Sequence, residues 1–443
     1  MAVAAPLPAD PLADKVSPSL NPALPAANAN APVAVVNPPA SPTANSAPVE
    51  NPPSSTPPPL AVLPPSLPNT SAASPTQSTP TTSGPSLLVP NAPSLNSKAY
   101  VLMDAASGGV LAQNNMNVRM SPASLTKLMT LYITFSALKA GQLHTDTLVP
   151  ISTHAWKMDG SRMFVQVGSQ VPVSELLQGV IVASGNDATV ALAEFIGGTE
   201  DNFAGLMNQT AQALGMKNSH FMDSTGMPNA DHYTTAYDMA LLLRAIIQNF
   251  PEYYSLFSEK WFSYNKIKQP NRNRLLWQDP AVDGLKTGHT DDAGFCLVAS
   301  AHRENMRLIS VVMNAPSDSL RASDGEALLN YGFHFYKTQL VFSGLSQITK
   351  SRAWLGAHPE VPLGVLTNVY ATTPIGMENQ LKTVVQVLSP LKAPIIKNKP
   401  YGQVLIQLNG QTISQAPLVA LEDDPKGGII RRLMDSIRLL FKK

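Results

Sequence analysis

Ser124 and Lys127 stand three residues apart near the start of an apolar stretch, 121–140, whose periodicity predicts a helix. One helical turn places their side chains on the same face, where a lysine amine can take the proton of a serine hydroxyl. That is a nucleophile carrying its own base. Taken alone, Ser-x-x-Lys also reads as an ordinary helix start with a snorkelling lysine. Two later clusters argue against that reading: Ser184-Gly185-Asn186 in the apolar run 179–196, and Lys286-Thr287-Gly288 directly after the strand-like 282–285. Acyl transfer through serine needs a nucleophile, a neutral base, a proton route, an oxyanion hole and a grip on the substrate. A lysine base needs its amine, about 10.4 when unperturbed, pulled down by burial and by a second cation, for which Lys286 is the candidate.

In this order the three clusters are those of penicillin-binding proteins and class A β-lactamases. The matching text is long: RMSPASLTKLMT, VASGNDATVALAEF, NRNRLLW and VDGLKTGHTDDAGFCLVASA. From about Lys98 to Lys443 the chain resembles the low-molecular-weight penicillin-binding proteins that act as D-alanyl-D-alanine carboxypeptidases, with a second β domain and a C-terminal membrane anchor. The resemblance implies an α+β, transpeptidase-like fold, acylation of Ser124 by D-Ala-D-Ala stem peptides and by β-lactams, and no metal or organic cofactor. It also implies roles for named residues. Ser184 passes the proton to the departing amine, and Asn186 bonds the Lys127 amine and the substrate amide. Lys286 and Thr287 bind the terminal carboxylate, and the strand through Gly288 and His289 pairs with the substrate backbone. The N–H groups of Ser124 and His289 form the oxyanion hole. Arg272 and Arg321 gather the carboxylate, although Arg274 stands where a small residue is usual. Asp238 orients the arginine and Ser184, unless it is a helix-start carboxylate; Ser161 is a supporting residue.

Competing activities stay open at different strengths. A class A β-lactamase would carry aspartate where Gly185 stands and a Glu-x-x-Leu-Asn stretch to position the deacylating water; this chain is expected to have neither. A D,D-endopeptidase cutting cross-links uses the same acyl-enzyme and is the alternative. A non-catalytic penicillin-binding scaffold would not need all these positions. A histidine triad is disfavoured because no Gly-x-Ser-x-Gly elbow occurs.

Composition bounds the rest. The net charge is +1 with 14% charged residues, so no basic field calls for a nucleic-acid partner. The single cysteine, Cys296, lies in an apolar stretch and reads as a buried strand residue. Eight histidines show no metal-ligand spacing. Residues 1–95 hold 24 of the 40 prolines and no aromatic, which predicts a disordered tether over 1–96. Its MAVAAP start has neither the basic start nor the apolar core of an export signal. Because the family acts on the periplasmic side of the inner membrane, the chain is expected to be a form processed after export.

Elements follow from periodicity. A hairpin is expected around Ser107-Gly108-Gly109, short strands including 163–165, and helices at 173–183, 187–196, 203–214, 234–247 and 319–336. Strands are expected at 282–287, 295–301 and 308–313. The D,D-peptidase domain is thereby placed at 97–340. A β domain follows at 341–425, with a type I′ hairpin at Asn409-Gly410. The remainder, 426–443, has Ile430, Leu433, Met434, Ile437, Leu440 and Phe441 on one face of a helix, beside Arg431, Arg432, Arg438, Lys442 and Lys443. At roughly 25 Å and with those charges it is too short and too polar to span a bilayer, and is expected to lie on an anionic membrane surface.

Overall fold

The computed structural model describes residues 89–441; the first 88 residues of the expected tether lie outside that range. A five-stranded antiparallel sheet organises the first domain. Its strands are β1 (Ala99–Asp104), β2 (Val110–Asn114), β3 (Val282–Thr290), β4 (Gly294–Arg303) and β5 (Met306–Ala315), in the order β2-β1-β5-β4-β3. The central strands β1, β4 and β5 are buried at most positions rather than at alternate ones, so both faces must be covered. Val101, Met103, Cys296, Val298, Ile309 and Val311 enter one core, while Leu102, Leu297, Ala299, Leu308 and Val312 enter another on the opposite face.

Helices close each side. The larger core receives α1 (Lys127–Lys139), α2 (Asn186–Gly197) and α3 (Ala236–Asn249); the smaller is covered by α4 (Asp318–Phe335). At Gly332 of α4 a Cβ would lie 2.5 Å from Leu308 Cδ1, so glycine permits this close helix–sheet approach. The expected α+β architecture is the observed one.

The second domain is a six-stranded sheet with a small core of Val361, Leu363, Ala371, Val404, Ile406 and Leu418. Its Pro400–Leu408 and Gln411–Ala420 strands turn at Asn409 and Gly410, both with positive φ (51° and 82°), as a type I′ hairpin requires. Three of its strands were not anticipated. Tyr336–Phe342 pairs with Val369–Pro374, so the chain enters the β domain directly after α4, earlier than the expected 341; Gln347–Trp354 and the short Leu391–Lys392 beside it are the others. At the junction, the Thr338 hydroxyl donates to Asp104 Oδ2 at 2.7 Å.

Two other expectations change. Residues 163–165 are not a strand; their N–H groups turn toward a side-chain carboxylate instead of a neighbouring strand. Residues 89–96, assigned by composition to the tether, lie against α4. The Tyr331 hydroxyl donates to the Pro90 carbonyl at 2.9 Å, and the buried Asp324 carboxylate accepts the N–H groups of Asn96 (3.0 Å) and Ser97 (2.9 Å).

The C-terminal helix α5 (Ile429–Leu440) is shorter than its sequence pattern, starting only after Gly427-Gly428. Ile429, Ile430, Leu433, Leu440 and Phe441 are exposed, between 62% and 84%. Asp435 is 4% exposed, accepting from Leu355 N at 2.9 Å and from Arg352 at 3.1 Å. Among the described residues no helix is long and apolar enough to cross a membrane.

Asp324→Ala should lower unfolding stability by about 1–3 kcal/mol, because it strands the Ser97 N–H in a buried site. Urea denaturation checks this; an unchanged midpoint would contradict the docking of 89–97.

Candidate active site

The nucleophile turn is a short 3-10 segment, Ala123–Thr126, that runs straight into α1. Lys127, at the junction, is 0% exposed. Its Nζ lies 2.8 Å from Ser124 Oγ and 2.9 Å from the Thr225 carbonyl. The Thr225 carbonyl left no signature in the sequence because it acts through backbone. It reaches the amine because Gly226, at φ +92°, passes so close to the turn that a Cβ would sit 1.8 Å from Ala123 O.

Burial lowers the Lys127 amine to about 7, the Asp223 carboxylate opposing, the Arg272 guanidinium assisting, and Asp187 opposing again. At that value a large fraction of the amine is neutral near pH 7, with a lone pair to receive the Ser124 proton. Two cations lie near this amine. Arg272 acts on Lys127 directly, and Lys286 and Lys127 repel each other, Lys286 being held well below the ordinary lysine range by burial first and then by Lys127, Arg272 and Arg321.

Lys286 reaches inward from β3, its Nζ donating to Ser184 Oγ at 2.7 Å and to Thr287 O at 2.9 Å. Ser184 adopts a left-handed conformation (φ 57°, ψ 33°) between the π-helical turn Gly179–Ala183 and α2. The loop 159–165 holds this motif. Asn186 N donates to the Ser161 carbonyl at 2.7 Å, and its side-chain amide donates to Asp159 O at 2.5 Å rather than to the Lys127 amine. Ser161 thus supports the motif through its backbone. Asp187, which sequence reasoning missed, accepts the N–H groups of Met163 (2.8 Å), Phe164 (2.7 Å) and Val165 (3.1 Å). Its position in the first turn of a helix made it look like ordinary dipole compensation.

Gly185 has a steric reason. A Cβ there would lie 2.8 Å from Asp187 Oδ1 and 2.9 Å from Met163 N, so the aspartate of a class A site cannot enter without moving the loop. The expectation that Glu-x-x-Leu-Asn is absent is wrong as spelled: Glu326 to Asn330 reads so, but it lies in α4, after the lysine motif, where Asn330 accepts from Arg303.

The substrate-facing strand is β3, an edge of its sheet, with Lys286, Thr287, Gly288 and His289 paired to Val298, Leu297, Cys296 and Phe295. An edge strand has backbone groups available to an extended peptide. Gly288 abuts the nucleophile turn: a Cβ would meet Pro122 O at 3.0 Å and Ser124 N at 3.2 Å.

Arg272 is brought to the lysine pair, as its influence on both amines records. Buried Asn271 and Asn273 shape its loop, Asn271 Oδ1 accepting from Asn273 N at 3.0 Å and Asn273 Oδ1 from Leu275 N at 3.1 Å. Arg321 is engaged with protein groups. Its buried guanidinium donates to Gly288 O at 3.0 Å and pairs with Asp318, which also takes Arg274 at 2.5 Å, so it braces β3 from behind. Asp238 likewise lies elsewhere, accepting from Asn218 N at 2.8 Å and Ser219 Oγ at 2.7 Å at the start of α3, where burial raises its carboxyl. It is the helix-start carboxylate of the two readings.

Residues 87–317 match the family model described as D-alanyl-D-alanine carboxypeptidase, and residues 336–426 match the penicillin-binding protein 5 C-terminal domain. The chain belongs to the D-alanyl-D-alanine carboxypeptidase family. It is 43% identical over 362 residues to D-alanyl-D-alanine carboxypeptidase DacA of Escherichia coli, covering 80% of this chain and 90% of the relative. Among solved structures, penicillin-binding protein 5 of Haemophilus influenzae superposes with a TM-score of 0.70 at 42% identity, covering 75% of this chain and 99% of that one. Penicillin-binding protein D2 of Listeria monocytogenes, solved in the ampicillin-bound form, has a TM-score of 0.50 at 29% identity over 54% of this chain and 98% of its own.

Within this family member, penicillin acylation should rise about tenfold per pH unit below pH 7 and level off above it, as one neutral amine base requires. Arg272→Gln removes a cation that disfavours the ammonium, so the rising limb should move to higher pH. A stopped-flow acylation profile checks both; a parent limb centred near pH 10 would contradict the buried-base assignment.

Proposed function

We propose that the chain is a serine D,D-carboxypeptidase that removes the terminal D-alanine from peptidoglycan stem pentapeptides through an acyl-enzyme on Ser124. The observation that carries this is the buried Lys127 amine, 2.8 Å from Ser124 Oγ and lowered to about 7, beside a second lysine–serine pair. Neutral Lys127 takes the Ser124 proton as Oγ attacks the carbonyl of the penultimate D-alanine. The N–H groups of Ser124 and His289 receive the developing oxyanion; losing one such donor typically lowers the rate about a hundred- to a thousandfold. The proton held by Lys127 passes through Ser184 to the departing amine, and free D-alanine leaves. Water, deprotonated by Lys127, then cleaves the ester and restores Ser124.

The terminal carboxylate is gripped by the Thr287 hydroxyl, Lys286 and Arg272. Its arrival adds a negative charge among crowded cations, which raises the proton affinity of Lys286 and secures the ion pair. Asn186 orients the substrate amide, and the backbone of β3 pairs with the extended stem. β-Lactams enter the same chemistry, because the strained amide presents its carbonyl to Ser124 with a carboxylate in the place of the D-alanine terminus.

The exposed apolar face of α5, flanked by arginines, supports binding to an anionic membrane surface on the periplasmic side. Its one acid, Asp435, is withdrawn into a contact with Arg352 and Leu355 and does not face the lipid. The working division is a tether through the first ninety or so residues, the peptidase domain, the β domain and this anchor.

D-Alanine release from a soluble pentapeptide, run beside a cross-linked muropeptide dimer, tests the activity. Release by the parent, reduced at least about a thousandfold in Ser124→Ala, with the dimer left whole, is expected. Cleavage of the dimer alone would make the enzyme an endopeptidase. For the anchor, a chain ended at Lys426 should lose co-sedimentation with anionic vesicles; equal sedimentation would contradict the role of α5.

A further inference from the structure

Beneath the nucleophile turn lies a set of polar groups that the acyl-transfer steps do not use. The His232 side chain is 1% exposed. Its Nε2 meets the Thr126 hydroxyl at 3.0 Å, and its Nδ1 meets Asp223 Oδ2 at 3.2 Å. A proton on Nδ1 faces the carboxylate, which leaves Nε2 to accept from Thr126; the network assigns this tautomer. The Met222 N–H, 3.5 Å from Nδ1, is too distant to compete. Thr126 closes the same 3-10 turn that carries Ser124.

The other Asp223 oxygen organises the opposite side. Oδ1 accepts the N–H groups of Thr225 and Gly226, each at 2.7 Å, and the Thr225 hydroxyl at 2.8 Å. These are the residues whose backbone crosses the nucleophile turn and offers Lys127 its carbonyl. One carboxylate–imidazole pair therefore touches both parts of the arrangement that fixes the Lys127 amine: the turn bearing Ser124 and the loop bearing Thr225 O. The pair is no triad, because its imidazole faces Thr126 and has no contact with the Ser124 hydroxyl to take that proton.

We propose that Asp223 and His232 are a positioning pair for acyl transfer, holding the nucleophile turn through Thr126 and the Thr225 carbonyl through the loop so that Lys127 stays on Ser124. The proposal rests on the reading of Ser124 as nucleophile and Lys127 as base. Asp223 also bears on Lys127 electrostatically. The charged groups facing that amine are Asp223 from the loop, Asp187 from α2, Arg272 from the loop before β3, and Lys286 from β3. The two carboxylates favour the ammonium and Arg272 disfavours it. Burial would raise the Asp223 carboxyl, but the His232 contact and the Thr225 bonds outweigh it and keep it below the usual carboxylate range, hence ionised. Removing its charge thus has a definite sign: the Lys127 ammonium loses a stabilising neighbour and gives up its proton at lower pH.

The experiment measures acylation by a fluorescent penicillin from pH 5 to 9, alongside melting temperature, for the full chain and five variants. His232→Asn retains an amide toward Asp223 and loses the Thr126 contact; Thr126→Val removes the same contact from the other side, and Thr126→Ser keeps it. The first two should lower the plateau rate about tenfold with the midpoint of the limb unmoved, and the serine variant should restore the rate. Asp223→Asn should lower the plateau and also move the midpoint to lower pH, an effect that a merely structural role would not produce. Parent-like plateaus in folded His232→Asn and Thr126→Val, or an Asp223→Asn midpoint that stays or rises, would overturn the pair's role. If Asp223→Asn fails to fold, the two Thr126 variants decide the question. Labelling of Ser124→Ala, the fifth variant, would instead overturn the nucleophile reading on which the proposal stands.

Discussion

The site depends on a lysine amine that has been taken out of water. Burying an ammonium without a partner is expensive enough that the group gives up its proton instead. Lys127 is fully buried, and among the described residues a hydroxyl and a carbonyl are the hydrogen-bond partners of its amine. A carboxylate in direct contact would restore the charge and abolish the base. Asp223 and Asp187 approach closely enough to be felt, yet Asp187 spends its oxygens on backbone N–H groups, and Asp223 spends its own on Thr225, Gly226 and His232. The fold thus uses acids to shape the walls while keeping them off the amine.

The sheet and its two cores exist to place three separate stretches of chain around that amine. The nucleophile turn comes from the start of α1, the Ser184 motif from the start of α2, and Lys286 from edge strand β3. Close backbone approaches lock the three together. Gly226 and Gly288 lie so near the turn that a side chain would collide with Ala123 O or Pro122 O. Arg321 anchors β3 from the far side by holding Gly288 O. Tolerance for displacement is small where so much is backbone against backbone.

Much of this could be read from the sequence, and what could not has physical reasons. The reactive groups Ser124, Lys127, Ser184 and Lys286 show in the sequence because their chemistry requires those side chains at those spacings. The long strands and amphipathic helices show because burial imposes a period. Backbone acceptors such as the Thr225 and Asp159 carbonyls leave no residue-type signal. Asp187 and Asp223 resembled commonplace turn or helix-start acids. Family likeness gave Arg321 a carboxylate-gathering role and left Asp238 between orienting Ser184 and starting a helix; the donors of Arg321 are engaged with Gly288 and Asp318, and Asp238 accepts from Asn218 and Ser219 at its helix start. Strand-like 163–165 failed because a carboxylate of α2, remote in sequence, captured its N–H groups.

The most direct test of this account is the titration of the Lys127 amine itself, followed by NMR of side-chain nitrogen in the ligand-free enzyme and assigned by comparison with Lys127→Arg. The account predicts a midpoint about three units below that of an exposed lysine, close to the value of about 7 expected for this buried amine. A midpoint near 10 would mean that the ammonium persists in the site at neutral pH. Lys127 could then not be the base that activates Ser124.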